Sequence, residues 1–313
     1  MKGFITVKNR NYWKNHYVVE TDINEIERRL RLASFVSGRK LFELPYFEKG
    51  KDAPNILISQ GSGGHSYVFA ELAYQMHLRG YNVFIMPKHG GNTVKELFQR
   101  HVDALKHISI NFSDRTGVLS EGLGGYVVFY LALAHGPIKS IACQNSPAIM
   151  TEQEYHKALL TDSGLWTATA QRRKVIMPLA KLLVRILPNL PLPVSSYLDW
   201  KAIMDTREEN RNLETHLVVE GYLKDPDFDK WYPLSAIMSL ISTPPPNAVA
   251  ALKIPTMFAV TRLGPTPSYI KDLYNRLPPI KKRMVEIDGS VYWMLSHPRD
   301  EAAIVCEWFD ETL

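Results

Sequence analysis

From Asn55 onward, short β-branched runs alternate with stretches of helical periodicity, a pattern that admits few architectures. Strand, helix and strand in succession build a parallel sheet whose crossover helices cover both faces. The pattern predicts strands at Asn55–Ser59, Tyr81–Met86, Thr116–Leu119, Ser140–Cys143, Thr256–Val260 and Arg283–Ile287. It predicts helices over Tyr67–Arg79, Val94–His107, Gly124–Ala134, Ser268–Leu277 and Pro298–Phe309. Gly80 closes the first helix, and Pro298 opens the last where its missing N–H costs nothing. Upstream, "FVSGRKLFELPYF" (Phe35–Phe47) reads as a hairpin turning at Ser37-Gly38, paired antiparallel at one sheet edge. The expected class is α/β: a mostly parallel twisted sheet with flanking helices.

Between Ser146 and Ala248 the alternation stops. This stretch is mainly helical in pattern, is broken by "PNLPLP" and ends at "STPPPNA". A long insertion after a strand, followed by return to the sheet, predicts a helical cap over the strands' carboxyl ends, where open α/β sheets bind ligands. The expected division is a core of 1–145 and 249–313 with a cap of 146–248. Ile176, Leu179, Ala180, Leu183 and Leu187 form one apolar stripe, suited to packing on the core or to a lipid-facing entrance.

The remaining composition narrows the function classes. The formal charge of +5 is scattered, and its densest clusters, Arg172-Arg173-Lys174 and Lys281-Lys282-Arg283, read as solvated faces, so no nucleic-acid partner is expected. Two cysteines, Cys143 and Cys306, in apolar and amphipathic stretches fit buried free thiols in a reducing cytoplasm. The first residues carry no secretory pattern, and Val175–Pro193 is interrupted by Lys181, Arg185 and prolines, which excludes an integral membrane segment there. The sequence calls for no cofactor and no metal, and it sets no oligomeric state.

One motif raises the question of chemistry. "LSEGLGGYVVFY" (Leu119–Tyr130) joins an apolar strand, a small-residue turn and a helix, yet its apex is Gly122. With "LISQGSGGHS", "GYLKDPD", "YLDWKAIMDTREEN", "VTRLGPTPSY" and "IDGSVYWMLSHP", the order of elements resembles the α/β-hydrolase family, especially capped esterases and lysophospholipase-like members. The resemblance runs from about Ser37 to the end. It implies a serine on a strained turn, a histidine to take its proton and an acid to orient that histidine. The three places fall on Gly122, Val291 and Gly264, none of which can do that work.

Other residues are candidates for the same site. Ser120 lies within the strand's end, two positions before the apex. His65, His297 and His89 sit in loops or at a helix start and read as structural imidazoles or ligand contacts. Glu121 reads as a solvent-facing elbow residue or a pocket carboxylate, the former favoured. Cys143 and Ser146 flank a strand end without a base partner. The resemblance implies main-chain donors at Leu123 and at Ser62, beside Gly61, which with the helix N-terminus would attract an oxyanion. Gln60 can donate or accept without titrating, and Gly63, Gly64, Gly124 and Gly125 fit close backbone approach. Three readings follow: a non-catalytic binder of a small, partly apolar, potentially anionic ligand; an ester hydrolase or other enzyme using non-standard residues; a partner-binding protein with a filled pocket. The cap could also touch lipid.

Overall fold

The computed structural model describes residues 10–162, 180, 182–193 and 204–313. Eight strands form one sheet: β1 (Arg31–Ser37), β2 (Lys40–Phe47), β3 (Asn55–Ser59), β4 (Asn82–Ile85), β5 (Thr116–Glu121), β6 (Ser140–Gln144), β9 (Thr256–Thr261) and β10 (Lys282–Ile287). Their spatial order is β1-β2-β4-β3-β5-β6-β9-β10. The hairpin β1/β2 is antiparallel and joins β4 antiparallel; the other pairings, from β4 through β10, are parallel. The six expected strands are present to within a residue or two, and the hairpin lies at the edge.

The turn corrects the sequence reading by one residue. Ser37 pairs with Lys40, so Gly38 and Arg39 form the loop, with Gly38 at φ +61° in the first central position.

Both sheet faces are buried, which is why these strands read as continuous apolar runs. Leu57, Val118, Ile141 and Phe258 face one core cluster; Ile56, Ile58, Leu119, Ala142 and Met257 face the other. The helix Gly122–Leu133 is apolar on every side and buried along nearly its whole length. The helix Val94–Asn111 starts at a capping box: Thr93 N–H donates to Glu96 Oε2 at 2.8 Å and Glu96 N–H returns to Thr93 Oγ1 at 3.4 Å. Residues Ser66–Phe69 form a 3₁₀ turn ahead of the helix Ala70–Leu78, and Gly80 follows at φ +112°. The final helix, Pro298–Asp310, has Pro298 in its first turn as expected.

Two helices near the amino end, Arg10–His16 and Ile23–Arg29, were not anticipated from the sequence. Between β6 and β9 the chain forms Gln153–Thr161, Glu208–Thr215, a π-helix His216–Tyr222, a two-stranded ribbon of β7 (Pro191–Pro193) with β8 (Trp231–Pro233), and Leu234–Ser242. Of the apolar stripe, Ile176 and Leu179 lie outside the described residues; Ala180 and Leu183 pack with Leu234 and Met238, whereas Leu187 is half exposed. Arg172, Arg173 and Lys174 also lie outside them. Lys281 and Arg283 pair with Glu311 and Glu307, as a solvated face does. Among the described residues no helix is long and apolar enough to cross a membrane.

Candidate functional site

The chain turns at Gly122 from β5 directly into a helix, with Gly122 at φ +50°. That backbone region is open to glycine and costs other residues of the order of 1–3 kcal/mol. A Cβ on Gly122 would come within 3.4 Å of Gly61 Cα, so the apex faces the loop after β3. Gly124 packs on Ser59 and Gly125 on Ser146 so closely that a Cβ on either would collide. Gly63 likewise admits the ring of Phe228, but Gly64 has open space beside it, so close approach does not account for that glycine. The turn is therefore built as the resemblance implies, from backbone, with no hydroxyl at its tip.

Ser120 does not replace that hydroxyl. It is fully buried in β5, its Oγ 3.4 Å from both Ala142 O and Cys143 Sγ. Burial pushes the Cys143 thiol up to about 12, so neither group offers a nucleophile at neutral pH.

The other two implied places lie after β9 and β10, at the same carboxyl-terminal end of the sheet. Gly264 N–H donates to Thr261 O at 3.0 Å, closing a tight turn. Asn145, at φ +49°, accepts from Thr261 N and Thr261 Oγ1 at 2.9 and 2.8 Å. A Cβ on Gly264 would stand 2.9 Å from Asn145 Oδ1. An acidic side chain there thus requires Asn145 to leave its three-centre arrangement. Val291 follows β10 and packs, half-buried, into the apolar cluster of that face. Its neighbour Ser290 is pinned by donating to Glu214, whose Oε2 accepts Asp205 N at 2.7 Å.

Glu121 departs from the favoured expectation of a solvent-facing residue. It is only partly exposed, and its carboxylate folds back onto Gly61, where a Cβ would collide with it. Burial raises the Glu121 carboxyl to about 7, and the nearby Gly61 backbone N–H only partly offsets this. The physical reason for the inward turn is the missing Gly61 side chain, which leaves the backbone donor open. Tyr222 and Tyr292 stand close enough that Glu121 helps hold their phenols well above 10, after burial itself. Tyr222 meets Tyr292 edge-on at 5.6 Å and stacks on Phe228 at 4.8 Å.

Each imidazole singled out from the sequence has a partner within the fold. His65 is buried, and its Nε2 donates to Asp225 Oδ2 at 2.7 Å; Tyr17 Oη donates to the same oxygen at 2.7 Å. Asp225 and Tyr17 were not singled out from the sequence, because the partners lie 160 and 208 residues away along the chain. His89 is fully buried, with Nε2 3.2 Å from Ser59 Oγ, which also lies 2.7 Å from His101 Nε2. Burial holds His89 well below and His101 at about 4, so both stay neutral. His297 Nδ1 lies 3.0 Å from Ser296 Oγ and its ring stacks on Trp293. Gln60 is fully buried, and neither amide atom has a partner among the described residues. The described residues contain no group of three His, Cys, Asp or Glu able to hold a metal.

Sheet order, crossover helices and a positive-φ turn at the end of β5 define the α/β-hydrolase fold, and this chain has it. Its architecture is similar to a monoacylglycerol lipase from Paleococcus ferrophilus, with 17% identity, a TM-score of 0.61 and coverage of 90% of this chain and 98% of that one. A soluble monoglyceride lipase variant from Saccharomyces cerevisiae, solved with a substrate analogue, matches at 13% identity, TM-score 0.66, covering 96% and 98%. An epoxide hydrolase from Vigna radiata matches at 14% identity, TM-score 0.55, covering 91% and 98%. At such identities the likeness is one of fold. No family model matches the sequence. No curated protein matches it either.

Proposed function

We propose that this protein is a non-catalytic member of the α/β-hydrolase fold that holds a small, partly apolar ligand between the elbow and a cap formed by 146–248. The observation that carries the reading is Gly122: the apex keeps the strained backbone of a nucleophile turn and presents no reacting atom. Gly264, closed against Asn145, and Val291, packed among apolar side chains, support it. The N–H groups of Leu123 and Ser62, with Gly61 and Gln60 beside them, are the donors offered to a ligand. His65 acts through its pairing with Asp225 and keeps the loop in place. No cofactor is required, and the buried thiols Cys143 and Cys306 fit a cytoplasmic protein. Exposed Leu182, Ile186 and Trp231 support lipid contact through the cap.

A second reading, a partner-binding protein with a filled site, is favoured by the packing of Phe228 on Gly63 and of Tyr222 on Tyr292. Fluorophosphonate treatment followed by intact-mass analysis tests the shared claim that no reactive serine exists. The expected result is unmodified protein. A stoichiometric adduct that disappears in Ser120→Ala, or at any other serine, would overturn both readings.

A further inference from the structure

The sheet ends at β1 on one side and at β10 on the other, and the two outer strands differ in charge. β10 opens on Lys282 and Arg283 and carries Glu286 near its end. Lys271 pairs with Glu286, and Arg283 pairs with Glu307 and Glu311. Charged side chains along an outer strand discourage a further strand from joining it. In β1 only the first residue, Arg31, is charged, and Leu32 to Ser37 carry no charge at all. Among the described residues no backbone hydrogen bond reaches the free side of this strand.

The hairpin decides which backbone groups that free side presents. Ser37 and Lys40 flank the two-residue loop and exchange main-chain hydrogen bonds across it. Antiparallel pairs alternate, so Phe35 with Phe42 and Ala33 with Leu44 are bonded in the same way, and the N–H and C=O groups of Leu32, Ser34 and Val36 point outward. The side chains of these three share one face. Leu32 and Val36 are 44% and 61% exposed there, beside Leu41, the cross-strand partner of Val36, at 58%. The opposite face is taken: Phe35 is buried, stacked on Phe42 at 5.7 Å and next to His107 of the helix Val94–Asn111 at 6.4 Å.

We propose that β1 pairs antiparallel with β1 of a second copy of this chain, about a two-fold axis at Ser34, so that two sheets become one. The strand is complementary to itself in this register, as a two-fold interface requires. Ser34 meets Ser34, and Leu32 meets Val36 in both directions, so each outward N–H and C=O is bonded and the exposed aliphatic side chains of the two copies pack on one another. Arg31 falls opposite Ser37, so no like charges are opposed within the strands. A slip of one residue would set the outward groups against residues whose own groups are already used in the hairpin. A slip of two would pair Leu32 or Val36 with Ser34 and lose the aliphatic match.

Sedimentation velocity tests the association and cross-linking tests the register. The unaltered protein is expected to be a dimer at micromolar concentration. Val36→Lys places an ammonium group on the outer face of each strand and is expected to raise the dimer dissociation constant at least about a hundredfold, with an unchanged circular dichroism spectrum. Ser34→Cys is expected to give a disulfide-linked dimer on mild oxidation, because the axis sets the two Cα atoms about 5.5 Å apart. Val36→Cys is expected to give none, its copies lying about 14 Å apart along the strands. The native thiols, Cys143 and Cys306, are buried and do not compete. Residue-resolved amide exchange on the unaltered protein reads the same register without a variant: Leu32, Ser34 and Val36 are protected in the dimer and lose that protection on dilution. A monomer throughout the micromolar range, a dimer that persists in Val36→Lys, a disulfide formed as readily by Val36→Cys as by Ser34→Cys, or exchange at these three amides that is independent of concentration would each overturn the proposal.

Discussion

At residue scale, Gly122 carries a conformation that the rest of the turn imposes: Gly124 is seated on Ser59 and Gly125 on Ser146, so the backbone cannot relax toward ordinary φ. Gly122→Ser keeps room for its Cβ, 3.4 Å from Gly61, and is expected to lower stability by about 1–3 kcal/mol without creating activity. Urea unfolding with an unchanged slope checks the first part. The places of the apex, Gly264 and Val291 are those the resemblance in element order implies, since a turn between a strand and a helix constrains position whatever side chain it carries. The direction of Glu121 could not. It depends on the bare backbone of Gly61, which lies in another loop.

At the scale of elements, the final helix holds a further buried acid. Glu301 is fully buried in its first turn, and burial alone raises its carboxyl to about 8. The Gln144 amide, at 3.0 and 3.3 Å from the two carboxyl oxygens, can accept from the protonated form or, rotated, donate to the ionised one. The folded state thus holds this proton more tightly than the unfolded chain, whose Glu titrates near 4.3. Its stabilising effect is complete below about pH 4 and is lost as the pH rises toward 8. Relative to the wild type, Glu301→Gln should gain about 1 kcal/mol per pH unit across that interval, measured by denaturant unfolding at pH 5, 6, 7 and 8.

The amino-terminal helices show where sequence reading stopped at this scale. Arg10–His16 is short and has no apolar stripe of its own; its place is set by Tyr12, which donates to Gly221 O, and by Trp13, stacked on Tyr67 at 5.2 Å. Farther along, Glu71 accepts the N–H groups of Val19 and Glu20 at 2.7 and 3.0 Å. Such anchoring is tertiary and leaves no local period. Tyr17, Asp225 and His65 make the same strap buried and polar. Asp225→Ala is expected to cost about 2–4 kcal/mol by stranding two buried donors, and Tyr17→Phe about 1 kcal/mol, both read from unfolding midpoints.

At the scale of the whole molecule, the sheet was legible because β3, β4, β5, β6 and β9 are buried on both faces and each parallel strand is separated from the next by helix long enough to cross over. The site was legible only as a set of backbone positions at the carboxyl ends of β5, β9 and β10. The contacts that define its chemistry, Glu121 on Gly61, Asn145 against Gly264 and Phe228 against Gly63, join segments far apart in the chain and became visible with the fold. Together they describe an α/β-hydrolase fold whose turn at Gly122 carries no hydroxyl, which is the feature the proposed non-catalytic function rests on. The hydrolysis rate of short-chain p-nitrophenyl esters by the protein tests that proposal most directly. The account predicts a rate equal to that of buffer across pH 6 to 9, unchanged in Ser120→Ala; saturable turnover by the unaltered protein would contradict it.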